Sequence, residues 1–291
     1  MPIKLGVAQI LPELQAGTPH AITPQIANQI RAMGFHGVAV FISKPLDTSL
    51  ADVLAVKQTL DAAGLEVAQA NGWYECLVNP DNDLRSAGIN GLQTLIRFGR
   101  ALEAQSVYVR PGSLNPRGHW WAHPDNHSPQ TFERLIDSLK MVCPVALDEG
   151  MLLAVEGHVL SPLSTPETVR RLLEAVSSPQ LKFNLDPVNF IGTVADVHDT
   201  KPILNRLFDL LGNDGIIAHA KDCALGDALV VHINEVIPGD GTLDYDLFLR
   251  RFAEHQPNGY FLIEHLPIEK VSAAREFILQ AAERCQIEML S

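Results

Sequence analysis

Cysteine is scarce in this chain. Cys76, Cys143, Cys223 and Cys285 stand far apart, with no CxxC and no zinc-ligand spacing. That pattern offers no disulfide framework and fits the reduced thiols of a cytoplasmic protein. Basic residues are also in the minority, 22 Lys and Arg against 34 Asp and Glu, for a net charge of −12. A nucleic-acid surface would show a basic patch or stripe, so no nucleic-acid partner is expected. No apolar run approaches the roughly 18 residues of a membrane span. The opening MPIKLGVAQI reads as a strand rather than a signal peptide. No GxGxxG follows that strand, which counts against a dinucleotide fold. There is no composition break, low-complexity segment or interdomain linker, so residues 1–291 are expected to form one domain.

What the chain does have is alternation. Strand-like runs at 4–10, 37–42, 65–71 and 106–110 are separated by helical patterns near 26–34, 49–63 and 84–104. The same rhythm continues with helices near 129–148, from about 164, 197–211 (interrupted near Pro202), 245–255 and 271–286. Thr165 is a natural N-cap there, with Pro166 at the first helical position. The longest loop, 111–129, carries Trp120 and Trp121, and loops of that length are usually functional or disordered. Eight β/α alternations predict an α/β protein, a single (β/α)8 TIM barrel.

Four consecutive strand-like runs then end in side chains able to bind a metal. MLLAVEGHV delivers Glu156, LKFNLDPVN delivers Asp186, IIAHAKD delivers His219 and YFLIEHL delivers Glu264, at intervals of 30, 33 and 45 residues. Each interval is near one β/α unit, with an insertion before the last. Strand side chains alternate, so Leu152, Ala154, Glu156 and His158 are expected on one face. In such barrels the active site lies where the strands end. Three carboxylates and an imidazole suit one divalent ion, manganese first, with magnesium, cobalt or zinc as alternatives. Around them, His158, Lys221, Arg110, Gln9, Asn71, Trp73, Trp120 and Trp121 are candidate substrate contacts. Each has a structural alternative; Lys221 in particular can meet a substrate oxygen or pair with Asp222. An inward guanidinium at Arg110 would be costly without an anionic partner. His265 follows Glu264 and by alternation points away.

The blocks VEGH (155–158), NLDPVN (184–189), HAKD (219–222), PGDGTLDY (238–245) and IEHLP (263–267) resemble the xylose isomerase-like superfamily of sugar isomerases and epimerases. The resemblance implies that Glu156, Asp186, His219 and Glu264 ligate the metal. In the ketose 3-epimerase branch, the two glutamates also serve as the acid/base pair. That branch has His where Asn189 stands here, so Asn189 joins the candidate substrate contacts; the Arg it has after the strand-seven His is missing. The E-x-K-P element of true xylose isomerases is absent, as are the extra histidines of the related endonuclease IV group.

The expected function is therefore a metal-dependent sugar isomerase or epimerase acting on a ketose or related polyhydroxy ketone through an enediolate. The alternatives are a lyase that dehydrates a keto-cyclitol such as an inosose, and a non-catalytic sugar-binding barrel. The expected partner is a small sugar or cyclitol; a homo-oligomer is left open.

Overall fold

The computed structural model describes residues 2–291. Strands β1 (Ile3–Ala8), β2 (Gly37–Ile42), β3 (Glu66–Gly72), β4 (Ser106–Val109), β5 (Leu153–Val155), β6 (Leu181–Leu185) and β7 (Gly215–Ala220) succeed one another along the chain. A hairpin of β8 (Asp222–Leu225) and β9 (Ile233–Val236) intervenes before the eighth barrel strand, β10 (Tyr260–Glu264). β10 pairs in parallel with both β7 and β1, with Ala8 opposite Glu264, and this closes the ring. A two-residue strand, β11 (Met289–Leu290), lies beside the start of β1. The chain is a single (β/α)8 barrel, as its alternation predicts.

Local chemistry sets the helices. Thr165 caps its helix by accepting from Thr168 N, which with the reverse bond makes a capping box, and Pro166 opens the helix. The helix at Pro129–Asp148 falls where the periodicity places it. The helix expected over 197–211 is in fact two, Val194–His198 and Lys201–Leu211. Asp199 between them is extended, and Pro202 lacks the N–H needed to continue the first helix. Among the described residues no helix is long and apolar enough to cross a membrane.

The main core lies between the strands and their helices, where Phe35, Phe183, Phe208, Phe248, Phe252 and Phe261 are fully buried. Inside the ring the side chains are smaller: Ala8, Ala39, Ala68 and Ala154 share the interior with Ile216, Ile217, Tyr260 and Leu262. Barrel interiors are usually filled by bulky branched residues. Alanine on strands 1, 2, 3 and 5 leaves room above that layer.

Two irregularities fix which side chains enter this space. The β2–β3 register jumps from Val38↔Val67 to Ala39↔Gln69, so Ala68 is an extra residue in β3. The β6–β7 register jumps from Phe183↔Gly215 to Asn184↔Ile217, so Ile216 is extra in β7. A bulge shifts the alternation by one residue. Beyond the bulges, Gln69 and Asn71 on one strand and Ile217, His219 and Lys221 on the other face inward.

Candidate active site

A cavity of about 470 Å³ opens at the carboxyl ends of the strands, and Glu156, His219, Lys221 and Glu264 line it. β5 is only three residues long, but Glu156 N still bonds Val109 O at 3.0 Å. The pleat thus continues one residue past the strand and turns Glu156 inward. Asp186 is fully buried just after β6, and His219 lies within β7.

The four candidate ligands come together. His219 Nδ1 stands 2.9 Å from Glu264 Oε1, 3.2 Å from Glu156 Oε1 and 3.7 Å from Asp186 Oδ2. Ligand atoms of Glu156, Asp186 and His219 all lie within 4.8 Å of one another. Both oxygens of Asp186 and both ring nitrogens of His219 are buried without an aligned hydrogen bond. Converging buried acceptors that do not satisfy one another are what a cation site requires. The oxygen-rich donor set suits a hard or borderline divalent ion, so the residues present fit such an ion.

Lys221 belongs to the same cluster. Its Nζ is 2.7 Å from Asp186 Oδ2 and 2.9 Å from Glu264 Oε1. Pairing with Asp222, one of the alternatives open from sequence, is ruled out. Asp222 instead accepts from the backbone N–H of Cys223, Gly239, Gly241 and Leu243 at 2.8–3.2 Å, and so folds the PGDG segment against the barrel. Gly241 is required there, because a Cβ would lie 2.2 Å from Asp222 Oδ1.

The fields inside the cluster push its groups apart. Burial, with the charge of Asp186 adding to it, raises the Glu156 carboxyl above its ordinary range. Burial would raise Glu264 too, but His219, Lys221 and His265 outweigh it and hold Glu264 well below that range. Burial likewise opposes the Lys221 ammonium, yet Asp186, Glu264 and Glu156 keep it protonated.

Other expectations divide. His158, Asn189, Arg110, Asn71, Gln9, Trp73 and Trp120 all line the cavity. Trp120 meets His158 edge-on at 5.8 Å. Trp121 is turned elsewhere, with the Arg117 guanidinium 3.5 Å above its ring. His265, expected to point away, lines the cavity after all. Its φ of 58° breaks the strand alternation, and Nδ1 reaches Glu235 Oε1 of β9 at 3.2 Å.

Sequence reasoning passed over Tyr108, Asn184 and Gln69. The Tyr108 hydroxyl donates to Glu156 Oε2, Asn184 Nδ2 donates to Glu156 Oε1 at 2.8 Å, and Gln69 Nε2 donates to Asn184 Oδ1 at 3.2 Å. Each lies two residues before a recognised candidate (Arg110, Asp186 and Asn71), so period-two alternation was the available signal. Glu235 had none, because it arrives on an inserted hairpin.

Comparison with known proteins agrees with this architecture. The inosose dehydratase of Salmonella typhimurium is 24% identical over 284 residues, covering 90% of this chain and 88% of the relative. A xylose isomerase-like TIM barrel protein from Mycobacterium smegmatis, solved in complex with magnesium, superimposes with a TM-score of 0.74 at 16% identity, covering 98% of this chain and 97% of that one. A D-psicose 3-epimerase solved in the presence of D-fructose gives 0.70 at 13%, covering 98% of each. A family profile described as xylose isomerase-like TIM barrel matches residues 27–281. The chain belongs to that xylose isomerase-like TIM barrel family.

Proposed function

We propose that this protein is a divalent-metal-dependent isomerase or epimerase of a ketose or related polyhydroxy ketone. The observation that carries the reading is the convergence of Glu156 and Glu264, from strands β5 and β10, on one ring nitrogen of His219. Glu156, Asp186, His219 and Glu264 would hold the ion, with manganese the first choice. When bound, the ion polarises the substrate carbonyl and acidifies the neighbouring C–H.

The two glutamates are not equivalent. Neutral donors hold Glu156, whereas the Lys221 ammonium faces Glu264. Glu264, with the Lys221 ammonium 2.9 Å from its Oε1, is the group that removes the proton. Glu156, brought from β5 with its oxygens held by Tyr108 and Asn184, is the group that returns one. Return from the other side of the planar enediolate inverts the centre, and return from the same side retains it. Lys221, Asn189, His158 and Asn71 present polar groups to the substrate hydroxyls, and Trp120 helps exclude water.

A second reading is supported by the relative named inosose dehydratase and by Asn189, where the epimerase-like pattern has His. The same enediolate would then expel a β-hydroxyl. Reaction of the metal-loaded protein in D₂O with a panel of ketoses and keto-cyclitols tests both readings. Deuterium at the carbon next to the carbonyl is expected. Glu264→Gln and Glu156→Gln should each lower kcat on the order of 10²–10⁴-fold. An α,β-unsaturated ketone absorbance would identify the dehydratase. Product without solvent deuterium would remove the two-glutamate mechanism.

A further inference from the structure

Arg110 is a buried cation without an anion. It stands just past β4, two residues and so roughly 7 Å beyond Tyr108 on the same inward face. Only 4% of it is exposed, yet it lines the cavity. Its hydrogen bonds go to neutral groups. Nη2 donates to Gly72 O at 2.5 Å, and Nη1 reaches Asn71 Oδ1 only at 3.5 Å. Nε is buried with no partner. Among the described residues no carboxylate pairs with it. Tyr74 and Trp73 hold the guanidinium by their ring faces, at 4.3 and 5.2 Å to the centroids.

These contacts fix the guanidinium in place without neutralising it. A buried charge is stable when it is paired, and an Arg held in one plane presents its fork for bidentate contact with a carboxylate or phosphate. Asn71 stands alongside; its Oδ1 is taken by Gly72 N at 2.7 Å, which leaves its NH₂ as a further donor. The neighbouring His119 adds no competing charge, since burial and then Arg110 itself lower its pKa to about 3.

The geometry points to a substrate that carries an anionic oxo-acid group, a carboxylate or a phosphate, bound by Arg110 while the polyhydroxy ketone lies over the Glu156–Asp186–His219 cluster. This rests on the reading of the site given under Proposed function and narrows its substrate to acidic or phosphorylated keto-sugars. Across the cavity the Lys221 ammonium is already paired with Asp186 and Glu264, which leaves Arg110 as the lining cation that faces no carboxylate among the described residues.

Calorimetry on the full-length, manganese-loaded protein tests this with three unreactive ligands of equal carbon number: an alditol, an aldonate and an alditol phosphate. One of the two anions should bind on the order of 100-fold more tightly than the alditol, the worth of a pair of charge-assisted hydrogen bonds. Which anion it is separates carboxylate from phosphate. Arg110→Gln should bring that ligand to the alditol level, and Arg110→Lys, the gentler variant for folding, should retain part of the preference. Equal affinity for all three ligands overturns the inference. So does an anion preference that survives Arg110→Gln, since the metal would then be its source. In either case, deuterium exchange into a neutral ketose would leave the proposed function standing. If none of the three ligands binds and no ketose exchanges, that reading fails and the inference falls with it.

Discussion

The Tyr108 hydroxyl donates to Glu156 Oε2, the oxygen that Asn184 does not touch. Both oxygens of Glu156 are therefore held, by residues from β4 and β6, and Gln69 of β3 braces Asn184 from across the ring. Among the described residues no neutral side chain donates a hydrogen bond to Glu264, whose ion-pair partners are His219, Lys221 and His265. Partners behind a metal ligand fix its orientation and typically account for 10–100-fold in metal affinity or activity. Tyr108→Phe should thus weaken manganese binding, measured by calorimetry, by about tenfold or more. An unchanged affinity would mean that the contact serves packing alone.

Asp186 Oδ1 is buried without a hydrogen bond, and Oδ2 is met by the Lys221 ammonium at 2.7 Å. Dialysis against a chelator should abolish activity, with manganese or cobalt restoring it. A bound ion at 100 times its dissociation constant adds about 2.7 kcal/mol to folding stability, so the melting temperature should rise on loading. Asp186→Ala should remove that rise along with stoichiometric binding. A variant that still takes up manganese as the wild type does would reduce the cluster to a structural device.

Trp120 and Trp121 are adjacent but face different surroundings. Trp120 lines the cavity against His158, whereas Trp121 lies beneath Arg117. Trp120→Ala should raise KM or lower kcat with little change in melting temperature, since the ring is 36% exposed. Trp121→Ala should leave both kinetic constants nearly unchanged. The reverse pattern would place the substrate wall at Trp121.

His119 supplies a pH dependence of known sign. Burial and the nearby Arg110 cation lower its pKa to about 3, against 6.5 in the unfolded chain. The unfolded state therefore binds the extra proton between those values. The contribution to stability is complete above pH 6.5 and falls by about 1.4 kcal/mol per pH unit as the medium is acidified toward pH 3. Denaturant unfolding of His119→Gln should show a shallower loss between pH 6 and 4. Parallel curves for the two proteins would show that other groups govern acid sensitivity.

The sequence by itself determined the eight-fold β/α alternation, the caps at Thr165 and Pro166, and the strand-end positions of Glu156, Asp186, His219 and Glu264. All of these are local properties, because period, cap and turn are set within a few residues of chain. Tertiary structure decided where local alternation no longer governs. The extra residues Ala68 and Ile216 shift the phase of their strands, and the positive φ of His265 returns to the cavity a side chain that alternation sends outward. Closure of the ring decided the rest. Gln69 meets Asn184 across 115 residues of chain, and Lys221 leaves its neighbour Asp222 for Asp186 and Glu264. Such pairings depend on which side chains the barrel buries together, where an unpaired charge is costly and the nearest opposite charge in space prevails over the nearest in sequence.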